Sequence, residues 1–203
     1  KEHVSSYESF PVRHWDHWLD GRHPRPYILT LGSDQPARDL LAQAAITEAP
    51  GFAGVPGLTS ESLQSEITPD GKSVLFVATT NRDQAVKTAT RYRLYQVGIA
   101  DGKVTEVSQP EGSIFTPTFG PDGKLYTNLE PQNEWVYNNL DLQVQDWPPK
   151  GNPINLTRSA DLSVEDFDVD KAGQVVFSAH TNGRRRLYKV KPGAPVKPVD
   201  PNS

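Results

Sequence analysis

The sequence predicts an all-β chain that forms a partial β-propeller of about three four-stranded blades plus a half-blade. Three observations lead to this prediction: a turn phrase that recurs, an apolar run after each copy, and a Leu-Tyr pair that returns nearly two periods later. A strand, an Asp-Gly turn and a second strand, repeated at roughly 40–50 residues, are typical of propeller blades.

The recurring phrase occupies residues 66–72 (EITPDGK), 118–124 (TFGPDGK) and, in a degenerate copy, 169–174 (VDKAGQ). Its glycines, Gly71, Gly123 and Gly173, are separated by 52 and 50 residues. The apolar runs that follow the three copies span residues 73–78, 125–129 and 175–179. Glycine accepts the positive φ that such turns require, so each copy predicts a tight connection between two strands.

The repeats divide the chain into four segments of one propeller domain. Residues 1–60 form an aromatic-rich opening segment and a partial blade, with a strand at 26–31 and a returning strand or short helix at 37–41. The predicted blades and their strands are 61–110 (63–67, 73–79, 92–97, 104–107), 111–160 (114–119, 125–129, 135–144, 154–157) and 161–203 (164–169, 175–179, 186–190, 196–199).

A second line of evidence for the repeat comes from Leu94-Tyr95 and Leu187-Tyr188, which lie 93 residues apart at matching places in the first and third blades. A β-sandwich or an irregular array of hairpins is the alternative fold. Propellers close at about four to eight blades, so three blades and a half-blade predict an incomplete ring with two unpaired edges.

Composition narrows the function classes. The chain has 203 residues, 35% of them apolar, and no apolar run approaches the ~18–20 residues of a membrane helix, which predicts a soluble protein without a membrane partner. A net charge of −4 argues against nucleic acid. The absence of cysteine excludes disulfides and a cysteine nucleophile, and fits the cytoplasm or the periplasm of a bacterium equally well.

One dense group of possible metal ligands lies near the amino terminus. A His-x-x-His pair can bind zinc with a further ligand, and the group consists of His14, Asp16, His17, Asp20 and His23. Because Trp15 and Trp18 interleave with these residues, packing and hydrogen bonding are the favoured roles. We therefore expect neither a metal nor a cofactor.

Three other groups have a possible function and a simpler explanation. Asp166, Asp168 and Asp170 alternate along a strand and share a face, as in a calcium or substrate-amine site, but a solvated acidic rim is favoured. His180 is expected to be a surface or hydrogen-bonded residue at a strand end rather than a catalytic base. The basic run 184–186 is expected in a solvated turn.

The repeats, together with residues 11–18 (PVRHWDHW) and the strand at 27–31, resemble the amino-terminal propellers of prolyl oligopeptidase-type serine peptidases. The resemblance is to the acylaminoacyl-peptidase and dipeptidyl-peptidase branches of this family, and residues 130–133 and 146–148 also resemble it. The resemblance implies a parent enzyme that hydrolyses short peptides. It also implies a propeller that limits access to a carboxy-terminal α/β-hydrolase domain beyond residue 203.

The chain departs from this family in lacking catalytic residues. The Gly-x-Ser-x-Gly elbow that carries the nucleophile does not occur in the sequence. Gly32-Ser33 and Gly112-Ser113 lack the second glycine, and both are expected in turns. We therefore expect a non-catalytic segment whose partners are the catalytic domain or the remaining blades, and a peptide substrate. The alternative is a non-enzymatic interaction propeller that is completed by self-association.

Overall fold

The computed structural model describes residues 11, 13–14, 17–18, 22–57, 60–108, 112–135 and 137–200. These residues form strands, turns and three short 3-10 helices, Ala45–Glu48, Arg82–Gln84 and Arg158–Ala160. The all-β prediction and the partial propeller are confirmed. In the described ranges, no helix has the length and apolar character needed to cross a membrane.

Three four-stranded antiparallel sheets dominate the fold, and six short strands precede them in three pairs. The paired short strands are β1 (Arg13–His14) with β2 (His17–Trp18), β3 (Tyr27–Ile28) with β4 (Arg38–Asp39), and β5 (Val55–Pro56) with β6 (Glu61–Ser62). The first sheet contains β7 (Ser65–Ile67), β8 (Ser73–Ala78), β9 (Arg93–Gly98) and β10 (Val104–Ser108). The second contains β11 (Gly112–Phe119), β12 (Leu125–Pro131), β13 (Asp141–Gln145) and β14 (Ile154–Asn155). The third contains β15 (Phe167–Val169), β16 (Val175–Thr181), β17 (Arg184–Val190) and β18 (Lys197–Pro198).

Each sheet is a simple meander in which every strand pairs with the next one along the chain. One sheet therefore corresponds to each copy of the repeat. The segment limits 1–60, 61–110, 111–160 and 161–203 stay a prediction.

The recurring phrase builds the turn between the first two strands of each sheet. Gly71, Gly123 and Gly173 have φ of 68°, 75° and 68°, in the left-handed region that glycine occupies without steric cost. The aspartates act as turn caps: Asp70 Oδ1 accepts a hydrogen bond from Lys72 N at 3.1 Å, and Asp122 Oδ1 accepts one from Lys124 N at 3.1 Å.

The sheets stack face to face, and apolar side chains fill the space between them. Leu75 and Val77 of the first sheet pack with Leu125 and Leu129 of the second. On the opposite face of the second sheet, a group of buried side chains packs with the third sheet; it includes Tyr126, Leu142, Val144, Val175 and Phe177. Alternation along the strands lets one sheet fill two interfaces, which is why all six residues of β8 are buried.

The opening segment covers the other face of the first sheet. Leu40, Leu41 and Phe52 pack against Phe76 and Tyr95. Within this segment, the Gly- and Pro-containing residues 51–57 run along the end of β8, where Ala53 and Thr79 form an antiparallel bridge. This partial layer corresponds to the predicted half-blade.

Several strand limits differ from the sequence prediction. The strand predicted at 135–144 begins at Asp141, and Asn133 Oδ1 accepts a hydrogen bond from Trp135 N at 2.9 Å, which turns the backbone at the start of the predicted range. The strand predicted from Leu63 begins at Ser65, since Gln64 has a φ of 36° that breaks the extended backbone.

Candidate functional site

The predicted histidine and aspartate group near the amino terminus lies mostly outside the described residues. Asp16 and Asp20, and the side chains of His14 and His17, lie outside the described part of the structure. Among the residues that are described, no group of three or more His, Cys, Asp or Glu side chains is arranged to hold a metal. The zinc hypothesis therefore stays untested at its main residues.

His23 is described and packs into the junction between the opening segment and the first sheet. Its ring meets Phe52 edge to face, with centroids 5.6 Å apart. Burial is the main cause that lowers the pKa of His23 below 6.5, and the charges of Arg82 and Arg25 lower it further. The neutral ring is thus the form that the folded chain prefers.

This environment predicts a pH-dependent loss of stability. The unfolded chain binds more protons at His23 than the folded chain does in the window between the lowered pKa and 6.5. Stability should therefore be complete above this window and decline as the pH falls through it. Urea unfolding of the wild type and of His23→Gln across this range measures the effect, and the variant should lack that part of the decline. Identical pH profiles would contradict the prediction.

The three aspartates predicted to share a face each make a different contact. Asp170 Oδ1 caps the third turn by accepting hydrogen bonds from Ala172 N and Gln174 N, each at 2.8 Å. Asp168 Oδ1 accepts a hydrogen bond from Val169 N at 2.8 Å. Asp166 forms an ion pair with Arg185. A calcium site that shares the three carboxylates is therefore not formed by these described residues.

Arg185 organises a charged cluster on the face of the third sheet that points away from the second. Its Nε lies 2.9 Å from Glu165 Oε2, and its Nη2 donates to Ser178 Oγ at 2.9 Å. Glu165 also pairs with His180, close to the end of β16. The basic run therefore lies at the start of β17 rather than in a turn, because Asn182 and Gly183, both with positive φ, make the turn instead.

The same face carries an apolar strip next to this cluster. Val176 and Leu187 line a groove of about 580 Å³ that also contains Asp166, Asp168 and Arg185. Leu187 is 55% exposed, although it lies in a central strand of its sheet. In the described part of the chain, no further sheet covers this surface, which we call the open face.

Sequence reasoning placed these residues without bringing them together. The sequence patterns place the acidic strand residues, His180 and the basic run 184–186 in three separate groups, and no pattern marks Ser178 as a polar contact. The available signal was the alternation of β16: Val175, Phe177 and Ala179 form one face, and Val176, Ser178 and His180 the other. The Gly112-Ser113 pair, expected in a turn, begins β11 instead.

Comparison with known proteins gives two likenesses to peptidases. The chain is 28% identical over 121 residues to dipeptidyl-peptidase 5 of Porphyromonas endodontalis, a match that covers 57% of this chain and 16% of that protein. It superposes on the β-propeller domain of the Trilobed protease from Pyrococcus furiosus with a TM-score of 0.51 and 16% identity. The first likeness is to a peptidase by sequence, and the second shows the β-propeller fold.

The propeller region matches only part of each relative. It covers 16% of the dipeptidyl-peptidase and 38% of the Trilobed protease domain, and the structural match extends over 66% of this chain. The solved domain has an open velcro topology, as its description states. No family model matches the sequence.

Proposed function

We propose that this propeller region limits the access of substrates to the catalytic domain of a serine peptidase that hydrolyses short peptides. The observation that carries the proposal is the stack of three antiparallel sheets in a chain similar to dipeptidyl-peptidase 5. A ring narrower than a folded domain admits flexible oligopeptides and excludes folded proteins. The propeller itself contributes no nucleophile, since the sequence lacks the serine elbow.

The open face is the surface where this region would contact the rest of such a ring. Among the described residues, apolar side chains cover both faces of the first and second sheets but only one face of the third. Val176 and Leu187 occupy positions equivalent to those that pack between the other sheets. A further blade is therefore the partner we propose for this surface. The likenesses do not favour the alternative of a non-enzymatic, self-associating propeller.

The test compares substrates of different size with the full-length gene product. We expect serine-inhibitor-sensitive cleavage of a pentapeptide, little cleavage of a folded protein, and no activity from the 203-residue chain alone. Leu187→Glu should raise cleavage of the larger substrate relative to the pentapeptide, because a charge at the open face weakens the proposed contact with the next blade.

Ile154→Glu is the matched control, since Ile154 is 56% exposed in the outermost strand of the second sheet and Leu187 is 55% exposed. It should leave the ratio of the two cleavage rates unchanged. A full-length protein without peptidase activity, or activity in the 203-residue chain, would refute the proposed function. Equal ratios in both variants would refute only the role of the open face.

A further inference from the structure

A cleft of about 390 Å³ lies between the first and second sheets. Its inner part is formed by Leu94, Ile114 and Leu129, and its outer part by the loop before β14 together with Asn155 and Arg158. The volume falls in the lower part of the range of about 300–1,000 Å³ that is common for small-molecule sites. All of its lining residues belong to the described part of the chain.

The cleft exists because the second sheet lacks an aromatic pair that the other two sheets contain. In the first sheet Phe76 lies opposite Tyr95, and the rings stack with centroids 5.5 Å apart. In the third sheet Phe177 lies opposite Tyr188 in the same arrangement, also at 5.5 Å. Each pair faces the layer that precedes its sheet in the sequence.

The corresponding place in the second sheet is occupied by Thr127 and Gln143, which lie directly opposite each other on β12 and β13. Both residues face the first sheet and line the cleft. Two stacked rings are thus replaced by a hydroxyl and a carboxamide, which are smaller and polar. The volume that two aromatic rings would fill is left as open space between the first and second sheets.

These two polar side chains are deeply buried. Thr127 is 5% exposed and Gln143 is 6% exposed. Among the hydrogen bonds of the described residues, none involves the Thr127 hydroxyl or the Gln143 carboxamide. The polar ends of both side chains are not among the fully enclosed unpaired atoms of the described residues, so they reach the solvent of the cleft and are open to hydrogen bonds from a ligand that enters it.

The walls of the cleft indicate the chemistry of that ligand. One wall is aliphatic, from Leu94, Val107 and Ile114. The other carries the carboxamides of Gln143, Gln145 and Asn152, which can donate and accept hydrogen bonds as a peptide group does. The Asn155 carboxamide, which also lines the cleft, is bonded to Asp141, Thr157 N and Arg158 N.

Arg158 adds one positive charge at the rim of the cleft. Its Nε lies 3.2 Å from Asp141 Oδ2, and its terminal nitrogens have no hydrogen-bond partner within the described chain. A guanidinium whose terminal nitrogens are available suits a carboxylate. No described lining residue is acidic or aromatic, which disfavours a cation and a ligand recognised by ring stacking, such as a sugar or a nucleobase.

We propose that this cleft binds a short peptide that has an aliphatic side chain and a free carboxyl terminus. The side chain lies against the aliphatic wall, the peptide group pairs with the Gln143 carboxamide, and the terminal carboxylate lies at Arg158. The inference rests on the cleft alone, so peptidase activity is not its readout.

The test titrates the 203-residue chain with the dipeptide Ala-Leu and follows the side-chain NH₂ resonances of Gln143 by NMR. We expect saturable shifts of these resonances at millimolar peptide, with a Kd of roughly 0.1–1 mM. Ala-Leu amide, which lacks the carboxylate, should bind about tenfold more weakly, and Arg158→Ala should remove this difference between the two peptides.

Thr127→Phe combined with Gln143→Tyr installs the pair that the other two sheets contain, and it should abolish binding while it preserves or raises the melting temperature. Should this double variant fail to fold, Gln143→Leu keeps the volume and removes only the carboxamide, and binding should then fall by at least about tenfold. Absence of shifts up to about 10 mM peptide would overturn the proposal, as the cleft would then hold water only. Equal binding to wild type and Gln143→Leu would overturn it as well.

Discussion

Replacement of Glu61 by glutamine is expected to lower the free energy of unfolding by about 3–5 kcal/mol. Glu61 forms an ion pair with Arg82, and the side chains are only 11% and 14% exposed. Burial also lowers the pKa of Arg82 below its usual range. The substitution leaves this buried positive charge without its partner, and urea unfolding of both proteins at neutral pH measures the cost.

The exposed pair of Lys124 and Asp146 provides the matched control. Its Nζ–Oδ1 distance is 2.8 Å, and the side chains are 43% and 56% exposed. Water screens such a pair, so Asp146→Asn should cost much less stability than Glu61→Gln. Similar losses in the two variants would contradict the assignment of Glu61 and Arg82 as a buried pair.

A double variant separates the cost of the unpaired charge from the value of the pair itself. Glu61→Leu combined with Arg82→Met removes both charges, and apolar replacement of a buried pair is often neutral. The double variant should therefore be more stable than Glu61→Gln. A double variant as unstable as the single one would show that packing at this junction, rather than the unpaired charge, sets the loss.

The sequence pattern does not predict that the Arg82 side chain is buried. Residues 81–90 are polar and charged, a composition that predicts an exposed loop. In the structure the short 3-10 helix Arg82–Gln84 directs Arg82 back to Glu61 on β6, a contact between residues 21 positions apart. Composition reports the average exposure of a loop, and it does not identify the one side chain that turns inward.

The repeat predicted the three sheets correctly, because the interactions that form each turn lie within the turn phrase itself. An aspartate that caps the turn and a glycine with positive φ act within a few residues of each other, so the sequence contains the whole signal. The prediction that the two Leu-Tyr pairs occupy matching places is also correct. Tyr95 stacks on Phe76 in the first sheet, and Tyr188 stacks on Phe177 in the third sheet in the same geometry.

The faces of the strands were harder to predict, because the first turn is longer than the others. Thr68 and Ser73 close it with four residues between them, whereas Asp170 and Gln174 close the third with three. A one-residue difference reverses which side chains point to each face. Phe76 therefore lies five residues after its turn glycine and Phe177 four, although both face the preceding layer.

The cleft and the open face also depend on long-range information. In the sequence, Thr127 and Gln143 are ordinary strand residues. Only the packing of two sheets shows that they take the place of an aromatic pair. In the sequence, Leu187 likewise resembles a buried strand residue. The structure of the described residues shows that its side chain is exposed. Both features are properties of interfaces between sheets, which alternation along one strand does not encode.

Replacement of Phe177 by alanine is expected to lower the free energy of unfolding by about 3–5 kcal/mol. Phe177 is 1% exposed, stacks on Tyr188 and packs against Leu142 and Val144 of the second sheet. The substitution opens a cavity between the second and third sheets that their backbones cannot fill. Chemical denaturation monitored by tryptophan fluorescence gives the loss, and the shift should appear in the midpoint rather than in the slope.

Leu187→Ala is the control in the same sheet, because Leu187 precedes Tyr188 on β17 and points to the open face. In the 203-residue chain it should change stability by less than about 0.5 kcal/mol, as exposed substitutions generally do. The same substitution in the full-length gene product should cost more, because the proposed further blade would bury that side chain. A large loss in the 203-residue chain would show that the open face is already covered, and an equally small loss in both proteins would show that nothing packs against it.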